Sequence, residues 1–196
     1  TPLFAVPILK SLYQNGYPIS VVYTQPPKKS RRGMRLNATP VQKMCETLNI
    51  EFRTPNSLKN NKDEYDYLKK LEADMAIVVA YGQILPKEIL SLTKKGFINI
   101  HGSLLPKFRG PAPIQRSIMN LDKQTGISIM RIVEKLDTGP ICNSYSLNIL
   151  ENENLESLSE RLSILASEKI LDDIDAIFEN KAVFEPQKGS KATYAN

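Results

Sequence analysis

Apolar residues along the chain follow two spacings, the three-to-four-residue repeat of an amphipathic helix and the short continuous run of a buried strand. The run Met75–Ala80 is the longest of the second kind, and such runs are typical of parallel strands covered on both faces. The predicted helices are Pro2–Gln14, Pro40–Leu48, Lys62–Leu71, Pro113–Asn120 and Leu155–Phe178, and the predicted strands are Ile19–Thr24, Glu51–Arg53, Met75–Ala80, Gly96–Ile100, Gly126–Val133 and Pro140–Asn148.

This alternation of helices and strands predicts an α/β fold, a Rossmann-like, doubly wound and mostly parallel sheet with helices on both faces. The chain opens on a helix, whereas a sheet of this kind starts with a strand that occupies its middle. We therefore expect a first strand before Thr1, because without it the core would contain a hole.

Composition narrows the possible functions only slightly. The longest apolar run is far shorter than the roughly 20 residues of a membrane-spanning helix, so no membrane association is expected. One histidine and the two distant cysteines, Cys45 and Cys142, match no spacing of metal ligands, so no metal is expected. The cysteines are interpreted as reduced hydrophobic residues. A net charge of +5 mildly favours a polyanionic partner.

The strongest candidate for chemistry lies where the predicted strand Gly96–Ile100 ends in polar residues. Asn99 and His101 are two positions apart and therefore lie on one face of the strand, at the edge where open parallel sheets bind ligands. Asp137 lies in a predicted turn, and a carboxylate near the only imidazole would favour its charged form and select one tautomer. Aspartate is also common in turns for purely structural reasons, so both readings of Asp137 stay open.

An amide, an imidazole and a carboxylate without a nucleophile suit direct acyl transfer to an amine. The amine must lose a proton, the tetrahedral oxyanion needs hydrogen-bond donors, and the leaving nitrogen must regain a proton. Ser103 lacks the Gly-x-Ser-x-Gly elbow of a serine nucleophile, and the chain has neither a Gly-x-Gly-x-x-Gly motif nor a P-loop.

The segment Asn99–Pro106, followed by Arg109-Gly110 and later by Leu136–Gly139, resembles the motif of the folate-dependent formyltransferase family. The resemblance implies that Asn99, His101 and Asp137 are catalytic and that 10-formyltetrahydrofolate is the formyl donor. It also implies a folate pocket lined by Ser103, Leu104, Leu105 and Pro106.

Three further segments, Tyr81–Pro86, Pro111–Ile118 and Ala192–Ala195, are similar to the branch of that family that acts on methionyl-tRNA. This likeness implies formyl transfer to the methionine amino group of initiator tRNA, for translation initiation, by a cytoplasmic enzyme that is a monomer. It further implies a catalytic domain over residues 1–185 and a linker over residues 186–196 toward a C-terminal barrel domain.

The segment Pro26–Leu36 carries five cations and is predicted to be a loop. In an unknown protein such a loop is most simply a solvated surface element, although clustered cations also bind phosphates by releasing counterions. The resemblance implies that this loop contacts the acceptor stem of tRNA. Arg32 aligns best with the arginine that matters there, and Arg31 and Arg35 are the candidates in neighbouring registers.

Two other functions compete with this one. A formyltransferase acting on the amine of a nucleotide sugar would share the same catalytic centre. A noncatalytic nucleic-acid-binding module would use the basic loop, but binding alone would not require Asn99, His101 and Asp137 together.

Overall fold

Six α-helices and eight short strands make up the part of the chain that the structure, a computed structural model, describes, residues 2–29 and 36–195. Two single 3₁₀ turns, Leu3–Ala5 and Gly189–Lys191, complete the list of elements. The helices are α1 (Val6–Gln14), α2 (Pro40–Leu48), α3 (Lys62–Leu71), α4 (Lys87–Leu90), α5 (Pro113–Met119) and α6 (Leu155–Phe178). The strands are β1 (Val22–Tyr23), β2 (Lys28–Lys29), β3 (Leu36–Asn37), β4 (Phe52–Arg53), β5 (Ala76–Val78), β6 (Phe97–His101), β7 (Gln124–Arg131) and β8 (Ile141–Asn148).

Local capping chemistry explains where the helices begin. The Thr39 hydroxyl accepts the Gln42 N–H at 3.0 Å, and Pro40 occupies the first position of α2, where its missing N–H costs nothing. Asn154 and Ser157 form a capping box at the start of α6, the longest helix with 24 residues. Within residues 2–29 and 36–195, no helix combines the length and apolar character needed to cross a membrane.

The strands form one four-stranded sheet and two small pairs. The sheet has the order β5-β6-β7-β8, in which β5 and β6 are parallel and the other two pairings are antiparallel. Strands β1 and β4 form a parallel pair, and β2 and β3 form an antiparallel hairpin. The predicted α/β class is confirmed. The antiparallel direction of β7 and β8 was not predicted, because apolar spacing does not distinguish strand directions.

An apolar cavity of about 440 Å³ separates the β1–β4 pair from the four-stranded sheet. Residues 20–23 line one side, residues 76–79 line the other, and Ile8 and Leu9 of α1 contribute to the walls. Among the described residues, β1 pairs only with β4, and β5 pairs only with β6.

The main core lies between α6 and the strands β6 and β7. Ile98 and Ile100 of β6 and Ile127 of β7 are buried to 2% exposure or less and pack against the apolar stripe of α6. Because side chains of a strand point alternately to opposite faces, Asn99 and His101 lie on the face of β6 away from α6. The sheet thus separates its packing face from the face that carries the candidate chemistry.

A buried carboxylate connects α3 to the small parallel pair. Glu64 is 8% exposed, and its two oxygens accept hydrogen bonds from the Arg53 guanidinium at 2.8 and 3.0 Å and from the Tyr23 hydroxyl at 2.6 Å. Burial raises the pKa of Glu64, but the bonds from Arg53 and Tyr23 outweigh it and leave the pKa below its ordinary value of 4.5. A carboxyl whose pKa is lowered by folding stabilises the folded state only while it is ionised.

We expect Glu64→Gln to reduce the free energy of unfolding at neutral pH by about 2 kcal/mol, the scale of a hydrogen bond to a charged group. The deficit should shrink as the pH falls below 4.5, because the parent then loses the same charge. Urea unfolding of both proteins over an acidic pH series measures this difference. Glu160→Gln, at an exposed position of α6, is the matched control and should stay close to the parent at every pH. A deficit that does not change with pH would contradict the role of the charge.

Candidate active site

Asn99 and His101 project from the carboxyl end of β6. His101 is paired in register with Ser128 of β7, and Asn99 with Met130. His101 is only 6% exposed, whereas Asn99 is half-buried, and no described residue forms a hydrogen bond with its side-chain amide. The amide of Asn99 is therefore available to a ligand.

The His101 ring is held by a carbonyl on one side and faces a carboxylate on the other. Nε2 lies 2.8 Å from the Phe108 carbonyl oxygen, which can only accept, so Nε2 carries a hydrogen. Nδ1 lies 3.8 Å from Asp137 Oδ2, which is longer than a direct hydrogen bond. The structure thus brings together the imidazole and the carboxylate that the sequence singles out, and leaves Nδ1 as the nitrogen able to face a reacting group.

Asp137 lies in the connection between β7 and β8, in a left-handed backbone conformation with φ of 48°. Its Oδ2 accepts the Gly110 N–H at 2.8 Å, and its side chain is 14% exposed. No residue in the described ranges donates to its second oxygen, Oδ1. The carboxylate is therefore oriented by one bond and has one oxygen left to accept a proton or a hydrogen bond.

The turn that carries Asp137 packs closely on the end of β7. A Cβ atom on Gly139 would lie only 1.8 Å from the Arg131 carbonyl oxygen, so this position accepts no side chain without moving the backbone. The close approach sets where the turn can lie and thereby limits the positions open to the Asp137 carboxylate.

The segment Ser103–Pro106, predicted to line a folate pocket, follows His101 directly. The Ser103 side chain is 1% exposed and its hydroxyl donates to the Lys107 carbonyl. Ser128 Oγ donates to the Ser103 carbonyl at 2.7 Å and accepts the Leu105 N–H at 3.0 Å. Leu105 is buried, whereas Leu104 and Pro106 are partly exposed. The loop is thus held by its own bonds, and only part of it presents side chains to a ligand.

The chain after α6 contributes contacts that the sequence did not predict. Thr193 Oγ1 accepts the Phe108 N–H at 2.8 Å, and Arg109 exchanges backbone hydrogen bonds with Thr193 and Ala195. Gln187 bonds to the Asp137 turn through its side chain. The segment Ala192–Ala195 resembles the family's sequence, but nothing in the residue types around Gln187 indicates a role at the site.

The two cysteines do not supply an alternative nucleophile. Burial raises the pKa of both the Cys45 and the Cys142 thiol to about 11, and neither forms a disulfide. Both remain protonated near neutral pH, and a thiol is a much weaker nucleophile than a thiolate. Among the described residues, no three His, Cys, Asp or Glu side chains converge as a metal site.

The predicted tRNA-binding residues Arg31, Arg32 and Arg35 lie outside the described residues. The chain on either side of them forms the β2–β3 hairpin, in which Lys28 is paired with Asn37 and Lys29 with Leu36.

The chain matches a known protein family over most of its length. A family model described as formyl transferase matches residues 1–174. The chain belongs to the formyl transferase family. The matched range includes Asn99, His101 and Asp137 but ends before Gln187 and Thr193.

The curated relatives are longer proteins. The methionyl-tRNA formyltransferase of Pelagibacter ubique is 63% identical over 196 residues, which is 100% of this chain and 63% of that protein. The methionyl-tRNA formyltransferase of Caldanaerobacter subterraneus is 42% identical over 195 residues, again 100% of this chain and 63% of the relative. The chain thus spans somewhat less than two thirds of the length of these relatives.

Solved structures share the fold at low sequence identity. Glycinamide ribonucleotide transformylase 1 from Symbiobacterium toebii superposes with a TM-score of 0.73 at 18% identity, covering 94% of this chain and 89% of its own. A sugar 3N-formyl transferase, solved in the presence of dTDP and 5-N-formyl-THF, has the same TM-score at 21% identity, covering 98% and 65%. The Rossmann-like fold class is therefore confirmed.

We expect Gly139→Ala to lower the free energy of unfolding by about 1–3 kcal/mol, the usual cost of forcing an atom into a packed site. Gly189→Ala is the matched control, because a Cβ there meets nothing within 4 Å. Its effect should stay within about 0.5 kcal/mol. Urea unfolding of the two variants decides the point, and equal stabilities would contradict the close packing of the Asp137 turn.

Proposed function

We propose that the chain transfers a formyl group from 10-formyltetrahydrofolate to the amino group of methionine on methionyl initiator tRNA, the step that prepares this tRNA for translation initiation. The proposal has two parts, the chemistry and the acceptor, and they rest on different observations.

One observation carries the chemistry. The only imidazole of the chain lies 3.8 Å from the Asp137 carboxylate, two positions along β6 from the unbonded amide of Asn99. Both groups are shielded from solvent, since His101 is 6% exposed and the Asp137 side chain is 14% exposed, and the Gly110 N–H orients the carboxylate. A group that accepts a proton and groups that bind an oxyanion are what formyl transfer between two nitrogens requires.

The reaction assigns a task to each residue. The amine nitrogen forms a bond to the formyl carbon, and the pair of His101 and Asp137 accepts the proton that the amine loses. The Asn99 amide donates to the oxyanion, and so does Nδ1 of His101 once it has taken up the amine proton, since Nε2–H is engaged by Phe108. The bond from the formyl carbon to the folate nitrogen then breaks, and the His101–Asp137 pair returns a proton to that nitrogen.

The loops that follow β5 and β7 offer exposed apolar side chains for the folate ring system. Ile84 is 82% exposed, Leu136 is 63% exposed, and a salt bridge of 3.1 Å between Lys87 and Glu134 connects the segments that carry them. We propose that this surface, with the segment Ser103, Leu104, Leu105 and Pro106, forms the folate pocket. Leu104 and Pro106 supply side chains, and Ser103 and Leu105 supply the shape of the loop.

The acceptor is inferred from the relatives. Proteins named methionyl-tRNA formyltransferase match the entire chain at 42–63% identity, whereas the sugar and glycinamide ribonucleotide enzymes share the fold at about one fifth identity. The basic segment Pro26–Leu36 and the net charge of +5 suit a polyanion such as tRNA. We further propose a cytoplasmic monomer, with residues 1–185 as catalytic domain and residues 186–196 as a connecting segment.

A formylation assay with 10-formyltetrahydrofolate and competing acceptors tests the proposal. The protein should formylate methionyl initiator tRNA and leave the amine of a nucleotide sugar unmodified. Transfer to the sugar alone would replace the proposed acceptor with the alternative one. Transfer to neither acceptor, with intact binding of tRNA, would favour a noncatalytic nucleic-acid-binding module.

We expect Asn99→Ala and His101→Ala each to lower kcat by about 10²- to 10⁴-fold while binding of tRNA persists, because each removes a group needed only during transfer. Single-turnover formylation and filter binding measure the two effects. Asn120→Ala, at an exposed position after α5, is the matched control for the asparagine change and should retain the parent rate. Activity within a few-fold of the parent in the His101 variant would overturn the catalytic assignment.

We expect Arg32→Ala to weaken tRNA binding and to reduce the slope of log affinity against log salt by about one, the effect of losing one phosphate contact. Binding measured over a salt series gives the slope directly. Lys10→Ala removes an equal charge from an exposed position of α1 and should leave the slope unchanged. Equal salt slopes for the two variants would contradict a phosphate contact at Arg32, because its charge would then act only through the net charge of the protein.

A further inference from the structure

We infer that Gln187 is a positioning residue that holds the Asp137 turn in its working place beside His101. This inference rests on the proposed function for its catalytic meaning. Gln187 lies beyond residues 1–174 that the family model matches, in the segment after α6.

All four hydrogen-bonding positions of the Gln187 amide are used. Nε2 donates to the Asp137 carbonyl at 2.9 Å and to the Gly139 carbonyl at 2.8 Å. Oε1 accepts from Nε and Nη2 of Arg109 at 3.1 and 2.8 Å. Because carbonyls only accept and a guanidinium only donates, the amide has a single orientation that satisfies both sides.

Asp137 is one of the two residues that the Gln187 amide connects, and its backbone shows what the amide holds in place. Asp137 has a left-handed backbone, which is uncommon for a residue with a side chain, although aspartate tolerates it better than most. Its carboxylate is held by the Gly110 N–H, and its carbonyl is held by Gln187. One bond therefore holds the side-chain carboxylate of Asp137, and a second, independent bond holds its main-chain carbonyl.

Arg109, the residue on the other side of the Gln187 amide, is buried and held by backbone hydrogen bonds. Arg109 is 5% exposed, and its backbone bonds to Thr193 and Ala195 lock it into the loop that follows His101. Gln187 itself follows a short antiparallel pairing in which Ile141 and Glu185 exchange two bonds of 2.9 Å. The amide thus links the Asp137 turn to the loop that carries Phe108 and Gly110, which are the partners of His101 and Asp137.

Only an amide of this length satisfies the arrangement. A glutamate at position 187 would still accept from Arg109 but would turn a carboxylate oxygen toward two carbonyls. A methionine would fill the space and bond to neither side. Both changes leave His101, Asp137 and Asn99 in the chain and alter only what holds the turn.

The first test needs no substrate and uses the complete protein. The ring signals of His101 are recorded by NMR in the parent, Asp137→Asn, Gln187→Met and Gln124→Met, and are assigned by their loss in His101→Gln. Gln124 is exposed at the start of β7 and provides the same chemical change away from the site. Gln187→Met should move the His101 signals in the same direction as Asp137→Asn, whereas Gln124→Met should leave them at the parent position.

The second test is a double-mutant cycle in the formylation assay. If Gln187 acts through Asp137, Gln187→Met should lower kcat by up to about 100-fold with little change in KM, the cost of a displaced catalytic group. The same change in an Asp137→Asn background should cost nothing further. Gln187→Glu, which keeps the acceptor for buried Arg109, replaces Gln187→Met in this cycle if the methionine variant fails to fold.

The outcomes separate this inference from the proposed function. His101 signals that move in Asp137→Asn but not in Gln187→Met would overturn the positioning role, as would kcat losses that simply add. Signals unmoved in both variants would overturn it as well, since Asp137 would then not act on His101. A parent without formyl transfer would remove the proposed function, and the ring signals would still decide whether Gln187 holds the turn.

Discussion

The hydrogen bond from the Gly110 N–H to the Asp137 carboxylate is the contact on which the site depends. It joins two loops 27 residues apart and leaves the carboxylate 3.8 Å from the only imidazole in the chain. Asp137 has a left-handed backbone in an exposed turn, so the surrounding contacts decide where its carboxylate lies. The closely packed Gly139 and the Gln187 amide provide these contacts from two sides.

The architecture keeps stability and chemistry on different faces of one sheet. The apolar face of β6 and β7 packs on α6 in the larger of the two buried cores, while the opposite face carries Asn99 and His101. Because the strand is rigid and its side chains alternate, the position of these two residues follows from the packing of Ile98 and Ile100. The loops then need to place only the carboxylate and the substrates.

The fold alone does not determine which acceptor amine is formylated. Enzymes that act on a sugar amine or on glycinamide ribonucleotide superpose with the same TM-score of 0.73. Function in such a family depends on the site and on the loops around it rather than on the sheet. The level of identity separates the two groups: proteins named methionyl-tRNA formyltransferase are 42–63% identical to this chain, whereas the structural neighbours are about one fifth identical.

The sequence by itself determined the features that have local causes. The bounds of α2, α3 and α6 match the prediction because Thr39, Asn61 and Asn154 cap them through bonds to residues three positions away. The position of Asn99 and His101 on the same face of β6 likewise follows from their spacing of two residues on a strand. Strand lengths and directions were less predictable, because β5, β7 and β8 exist only through partners distant in sequence.

Only the tertiary structure decided which acid meets the histidine and what holds it there. Turn chemistry alone explains an aspartate at position 137, so its contact with His101 required the fold of two separate loops. Gln187 carries no local signal at all, since a glutamine amide is ordinary on any surface. Its role arises from four hydrogen bonds to three residues in two other segments, and such long-range hydrogen bonds leave no pattern in the order of residues.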